Sequence, residues 1–569
     1  MEEEEDRIQN LRSKATELLL RKEWKDSIEV YSELISLCHD QISNPHQNLD
    51  PNNLPKLKKS LCLALCNRAE ARLNLQDYPQ ALQDCNEASQ IGNTHFKTLL
   101  CKGKIMLSLN QYGLALDCFK KASLDPNELE NYEMLNGYLE KCKKFEFLSR
   151  TGAFDISDWV VNKFQGKPPE LAEYIGSIEI KKSDISGRGL FATKNLDCGN
   201  LLLVTKAVAV ERAIVPESVF QDSKEQAQLD MWKNFIDKIL ESIKKCVRTR
   251  DLIYKLSNGE NEDDLEVPDI DLFRPVGEDS STFHDKKIDK EKLLNILDVN
   301  SLVEELISAK VLGKNSDVHG IGLWILSSFI NHSCDPNVRR SHIGDHVTIH
   351  ACRDIKAGEE LTFAYFDVFT PFRDREEKAK NWGFVCKCKR CNLEKGVSSN
   401  QEMMEIEMFL GKGLDNGGVV YRLEENMRRW MVRGKGKGYL RSSFWRVYSE
   451  VYESERSLRK WGSKVPLMEN VLDSVVDAVG SDERIVKLLM RGLKRKNGHK
   501  GNGIVEMEKA MKLGRGLYDV EVLLRMLTYQ KKPLVRSKNK KEGTLVHKNK
   551  AHTISSGLRV KYDESPSNK

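Results

Sequence analysis

At 569 residues the chain is too long for one hydrophobic core, so two to four domains are expected. Hydrophobic residues at 40% and charged residues at 31% describe a globular protein with some solvated segments. No apolar run reaches the roughly 18 residues of a membrane helix, and the start MEEEED lacks the basic-then-apolar order of a signal peptide, which argues against a secreted or membrane protein and for a reducing compartment, nucleus or cytoplasm. The net charge of +5 is unevenly placed: Lys531 to Lys569 carry +8, leaving −3 for the rest. The expectation is a disordered basic tail on a mildly acidic folded body.

The N-terminal part repeats. Ala69, Tyr78, Ala81, Cys85 and Ala88 recur as Gly103, Tyr112, Ala115, Phe119 and Ala122 at an offset of 34, and Ala15, Trp24, Ser27, Tyr31 and Leu34 stand 54 before the first set. The extra 20 residues fit in the loop-like stretch DQISNPHQNLDPNNLPKLKK. Small residues let paired helices approach and aromatics fill the space between pairs. This pattern resembles the tetratricopeptide repeat family, with three units over residues 8–126, the minimum for a stable stack. The resemblance implies a protein-interaction module. Some members grip the C-terminal carboxylate of a chaperone; Arg12, Asn67 and Lys97 match that clamp, whereas Thr16 and Cys101 depart from it.

From Ile178 the period changes, and short β-rich runs alternate with glycine turns as in an antiparallel sheet region. Residues from about 213 to 320 read as an insertion, helical at QAQLDMWKNFIDKILESIKKCV and acidic and turn-rich from Gly259 to Ser281. Strand character returns at HVTIHACRDI and ELTFAYFD. Beyond Gly396, LMENVLDSVVDAV and DERIVKLLMRGLK predict helices, with RGKGKGY and KNGHKGNG as loops.

Seven of the 14 cysteines, those at or before Cys142, sit singly inside helical patterns as small buried hydrophobes; only Cys386, Cys388 and Cys391 cluster. On the residues alone, Asn331, His332 and Cys334 in NHSCDPN are open to three readings: a catalytic dyad, two metal ligands, or a turn carrying a buried thiol. Four pieces in order, GRG (187–189), NHSCDPN (331–337), ELTFAYFD (360–367) and GFVCKCKRC (383–391), are similar to the SET domain of protein lysine methyltransferases with its zinc-binding post-SET segment. The insertion and helical C-terminal region resemble the SET and MYND domain family. A MYND finger is not expected, because residues 213–320 offer only Cys246, with His284 and His319 far from it in sequence.

The resemblance implies a SET domain at 176–370 and a post-SET zinc segment at 382–396; the helical patterns add a domain at 400–530, and the charge run the tail at 531–569. The fold class expected is thus α+β and multidomain: a helical repeat solenoid, a β-rich SET fold with a zinc segment, and a helical C-terminal region. C-x-C-x-x-C supplies three thiolates, and by the resemblance Cys334 is the fourth zinc ligand beside Cys386, Cys388 and Cys391. It further implies that Asn331, His332, Arg188, Gly189, Tyr365 and Phe384 contact S-adenosylmethionine, that Tyr365 is the catalytic tyrosine, and that Trp382 lines the lysine channel. The implied activity is S-adenosylmethionine-dependent methylation of a lysine on a histone or other protein. The alternative is an inactive SET-fold scaffold that binds partner peptides through its repeats. One cysteine cluster without interleaved basic and aromatic surface is not a nucleic-acid reader, so direct nucleic-acid binding is not expected.

Overall fold

The computed structural model describes residues 2–43, 54–91, 96–125, 131–156, 168–214, 221–260, 265–274, 288–304, 318–398, 401–411, 415–496 and 514. The tail 531–569 and the glycine-rich stretch from Asn497 to Gly503 lie outside them, as do parts of the predicted first-repeat loop and of the acidic stretch.

The N-terminal region is helical: α1 (Glu2–Leu20), α2 (Trp24–Ser43), α3 (Leu54–Asn74), α4 (Tyr78–Ile91), α5 (Phe96–Ser108) and α6 (Tyr112–Ala122) form three hairpins. The repeat is visible in the backbone itself. Lys22, Gln76 and Asn110, spaced by 54 and 34, each take a positive φ of about 60° between the paired helices. Each turn closes alike, with Glu23, Asp77 and Gln111 donating to the carbonyls of Leu18, Arg72 and Met106. This is the Schellman closure of a helix C-terminus, here made without glycine. Ala15, Ala69, Ala81 and Ala115 are fully buried where helices cross, and a side chain added at Gly103 would stand 2.7 Å from the Phe119 ring. A further helix, α7 (Tyr132–Thr151), covers the last hairpin, with Phe119 stacked on Tyr138 at 4.8 Å.

The central region is built from short strands. β1 (Tyr174–Ile175), β4 (Leu201–Lys206), β10 (His346–Ala351) and β9 (Val338–Ile343) make an antiparallel sheet in that order. β2 (Ile178–Lys182) pairs with β3 (Arg188–Ala192), and β5 (Val210–Ile214), β7 (Val318–Gly322) and β6 (Leu302–Glu304) form a third sheet that brackets the inserted helices Gln221–Lys245, Val247–Ile253 and Lys290–Asn300. β8 (Asn331–His332) and β11 (Thr362–Phe363) run parallel, so ELTFAYFD holds only two strand residues. Ile180, Leu190, Leu203, Phe235, Ile296, Trp324, Ile349 and Phe363 share one core, so the insertion is packed into this domain. Lys245 reaches back to donate to the Leu75 carbonyl at 2.7 Å, tying the inserted helix to a repeat turn.

The C-terminal region is helical and has its own core around Val420, Leu423, Tyr448, Val451, Leu472 and Val475. Helices Met468–Val479 and Glu483–Lys496 match the prediction. RGKGKGY does not form the expected loop: Lys435–Ser443 is a helix. Its glycines serve packing, since a side chain at Gly438 would lie 2.0 Å from the Ser474 carbonyl oxygen. Tertiary contact here overrides the poor helix propensity of glycine. Among the described residues no helix is long and apolar enough to cross a membrane.

Candidate active site and metal centre

β8 and β11 bring NHSCDPN beside ELTFAYFD, and Asn337 locks the pair. Asn337 is 1% exposed; its Oδ1 accepts from Thr362 N–H at 2.7 Å, its Nδ2 donates to the Glu360 carbonyl at 2.7 Å, and its own N–H donates to the Thr362 carbonyl. A buried amide with its hydrogen bonds satisfied fixes register and direction together. Nothing in the sequence reading singled out Asn337.

Asn331 Nδ2 lies within hydrogen-bond distance of Glu360 Oε1 at 2.8 Å, Ser183 Oγ at 3.1 Å and the carbonyls of Ser186 and Arg188. Its side chain is thus engaged in holding the GRG turn, in which Gly187 takes a positive φ of 47°. Gly189 is required by a protein neighbour: a side chain there would meet Glu360 Oε1 at 2.4 Å. Glu360, held by Ser183 Oγ at 2.7 Å, is a second organising residue that sequence reading missed. Arg188 is buried, donates to the Glu266 carbonyl at 2.9 Å and covers Phe329 at 5.2 Å.

His332 is buried between the two halves of the site. Nδ1 accepts from Tyr365 N–H at 2.9 Å, which places the ring proton on Nε2, directed at Cys334 Sγ 3.2 Å away. Tyr365 is half-buried, and its hydroxyl donates to the Ile330 carbonyl at 3.1 Å. Burial pushes that phenol up to about 12, so it stays protonated. Rings gather around it: Trp382 at 5.5 Å, Phe363 at 5.4 Å, Phe384 at 6.1 Å and His332 at 5.0 Å, with Phe366 stacked parallel to Phe384 at 6.1 Å. Trp382 is 53% exposed, so this aromatic group opens to solvent on its side.

Cys334, Cys386, Cys388 and Cys391 place their sulfur atoms all within 4.8 Å of one another, and none is in a disulfide. A tetrahedral zinc with bonds of about 2.3 Å needs four soft donors at such spacing, so the donor set fits the ion. Hydrogen bonding from Cys334 leads in pulling Cys386 down to about 7 and Cys388 lower still. The same sharing pushes Cys391 and Cys334 up. Behind the sulfurs lies a buried ionic network. Arg375 Nη1 points at Cys391 Sγ at 3.4 Å and pairs with Glu394, while Arg390 donates to the Cys334 and Val368 carbonyls at 3.2 and 2.8 Å and to Ser443 Oγ at 2.8 Å. Lys435 and Tyr439 hold Asp335 at 2.7 and 2.8 Å. The helix Lys435–Ser443 therefore holds the residues next to Cys334 and Cys391, Asp335 and Arg390. Such outer contacts orient metal ligands, and their long sequence separation hid them.

The clamp candidates sit apart, in the N-terminal stack. Asn67 Nδ2 donates to Tyr31 OH at 2.9 Å, beside Thr16 at 3.2 Å, while Arg12 and Lys97 are exposed.

Residues 187–366 match the SET domain family, and the chain contains a SET domain. A methyltransferase of Gibberella zeae is 26% identical over 396 residues, covering 66% of this chain and 50% of that protein. Histone-lysine N-methyltransferase SMYD3 of Homo sapiens is 40% identical over 76 residues, 13% of this chain and 18% of its own length. A SET and MYND domain-containing protein of Dictyostelium discoideum is 33% identical over 137 residues, 23% and 39% respectively. The chain thus spans half or less of the length of these relatives. No second group of three or more metal-ligating side chains, as a MYND finger would need, occurs among the described residues. Two solved structures overlay part of the chain: the TPR2B domain of yeast Sti1 in a pHsp70 complex, at 17% identity over 24% of this chain and 96% of that one, and the Arabidopsis OM64 TPR domain, at 25% over 24% and 94%. Both have a TM-score of 0.19.

Proposed function

We propose that the chain is an S-adenosylmethionine-dependent protein-lysine N-methyltransferase acting in the nucleus or cytoplasm. The observation that carries this reading is the meeting of the GRG turn, NHSCDPN and the Tyr365 aromatic group at one solvent-opening place, next to a four-sulfur cluster. Asn331, His332, Arg188, Gly189 and Phe384 would hold the cofactor, the first two through backbone groups since their side chains are engaged within the chain. When bound, S-adenosylmethionine supplies an electrophilic methyl on its sulfonium. The protein then has to align a neutral lysine amine and exclude water. The Tyr365 hydroxyl, already donating to the Ile330 carbonyl, keeps lone pairs with which to accept an amine N–H. Phe366, Trp382 and Phe384 supply apolar walls for the lysine stem. Zinc held by Cys334, Cys386, Cys388 and Cys391 would be structural, joining NHSCDPN to the segment that carries Trp382 and Phe384.

We further propose that the N-terminal stack presents a protein partner or substrate, with Arg12, Asn67 and Lys97 as the groups to test against a peptide carboxylate. The deciding experiment for the enzyme reading is methyl transfer from labelled cofactor to extract proteins, with cofactor binding measured by calorimetry. Tyr365→Phe is expected to hold cofactor affinity within a few-fold while transfer falls on the order of a hundredfold. Cofactor binding without transfer in the parent would favour the scaffold reading.

A further inference from the structure

Asp367 stands two residues beyond Tyr365, and both its carboxylate oxygens are taken by one guanidinium. Arg484 Nη1 donates to Oδ2 at 2.7 Å and Nη2 to Oδ1 at 2.6 Å. A forked pair of this kind fixes direction as well as distance. Arg484 is itself held: its Nε and backbone N–H donate to Asp482 Oδ1 at 2.9 and 2.8 Å, and its plane covers Phe369 at 4.2 Å. Asp482 is fully buried and also accepts from Arg339, on β9, at 2.6 Å. The anchor therefore joins the start of helix Glu483–Lys496 to the central sheet and to the turn that carries the catalytic candidate.

Between Tyr365 and Asp367 lies Phe366, whose ring meets His332 at 4.8 Å and Trp382 at 5.7 Å. The turn is tightened further by Phe369 N–H on Asp367 Oδ1 at 3.0 Å. With the side chains of Asp367 and Arg484 39% and 25% exposed, the pair is solvent-screened and adds little to global stability. Its geometry counts for more, because 1 Å of misplacement at a reacting group is costly.

We infer that Arg484 is a positioning residue for methyl transfer: by holding Asp367 it sets the Tyr365 hydroxyl. This rests on the methyltransferase reading above. The test uses the full chain and two gentle variants, Asp367→Asn, which leaves the Arg484–Asp482 pair in place, and Arg484→Lys, which keeps the charge and loses the fork. Both are expected to retain cofactor affinity within a few-fold and the zinc content of the parent, while kcat falls about tenfold to a hundredfold. In a Tyr365→Phe background neither should lower kcat much further, since the two changes act through one group. Hydrogen exchange at the amides of residues 365–369 should quicken in both variants. An unchanged kcat, a full drop that persists in the Tyr365→Phe background, or unaltered exchange at 365–369 would overturn the inference. A parent that transfers no methyl group would count against the enzyme reading alone, and exchange at 365–369 would still decide whether Arg484 holds the Tyr365 turn.

Discussion

Glu394 is 2% exposed and is shared by two buried guanidiniums, those of Arg375 at 2% and Arg390 at 0% exposure. Arg390 Nε lies 3.2 Å from Oε1, and Ser443 Oγ donates to the same oxygen at 2.7 Å. Glu394→Gln removes the anion while leaving shape nearly intact. At an effective dielectric of about 20, a unit pair near this distance is worth about 4–5 kcal/mol, and breaking a buried pair from one side costs about 3–5 kcal/mol. The amide oxygen still accepts one or two of the bonds, so the lower end applies: a loss of about 3 kcal/mol. Urea denaturation followed by tryptophan fluorescence should show a lower midpoint at unchanged slope. Because Arg375 and Arg390 contact Cys391 and the Cys334 carbonyl, zinc release to a chromogenic chelator should also quicken. A destabilisation below about 1 kcal/mol would refute the argument that this carboxylate holds the two buried cations in place.

Purified protein is expected to carry about one zinc per chain, and Cys388→Ser to carry far less after dialysis, measured by metal analysis, because three donors hold the ion weakly. Burial, helped by the Lys206 charge, lowers His346 from 6.5 to about 4; the ring is neutral in the fold while the unfolded chain protonates first, so stability present above pH 6.5 is lost as pH falls toward 4. His346→Gln should flatten that part of the pH–stability curve, and an unchanged slope would remove His346 as its source. Gly438→Ala puts a methyl 2.0 Å from the Ser474 backbone oxygen, so helices Lys435–Ser443 and Met468–Val479 must part, and a loss of about 2 kcal/mol or more is expected in the same denaturation assay.

Local signals determined much of this protein. The offsets of 54 and 34 between small and aromatic residues marked three helical hairpins, and the same offsets return in the φ of Lys22, Gln76 and Asn110, because each hairpin solves one closure problem with nearby residues. C-x-C-x-x-C was legible because three of the cluster's four thiols lie within six residues. Tertiary structure alone decided the rest. It turned RGKGKGY from a loop into a packed helix, since close approach between helices outweighs glycine's low propensity. It gave Asn337, Glu360 and Arg390, all inside the quoted motifs, partners that the motifs do not announce, and it brought Arg484 to the site from 117 residues beyond its partner Asp367. Periodicity reports which face of an element is buried; which charges then meet across that burial depends on how distant elements pack, and a buried ion pair leaves no period in the chain.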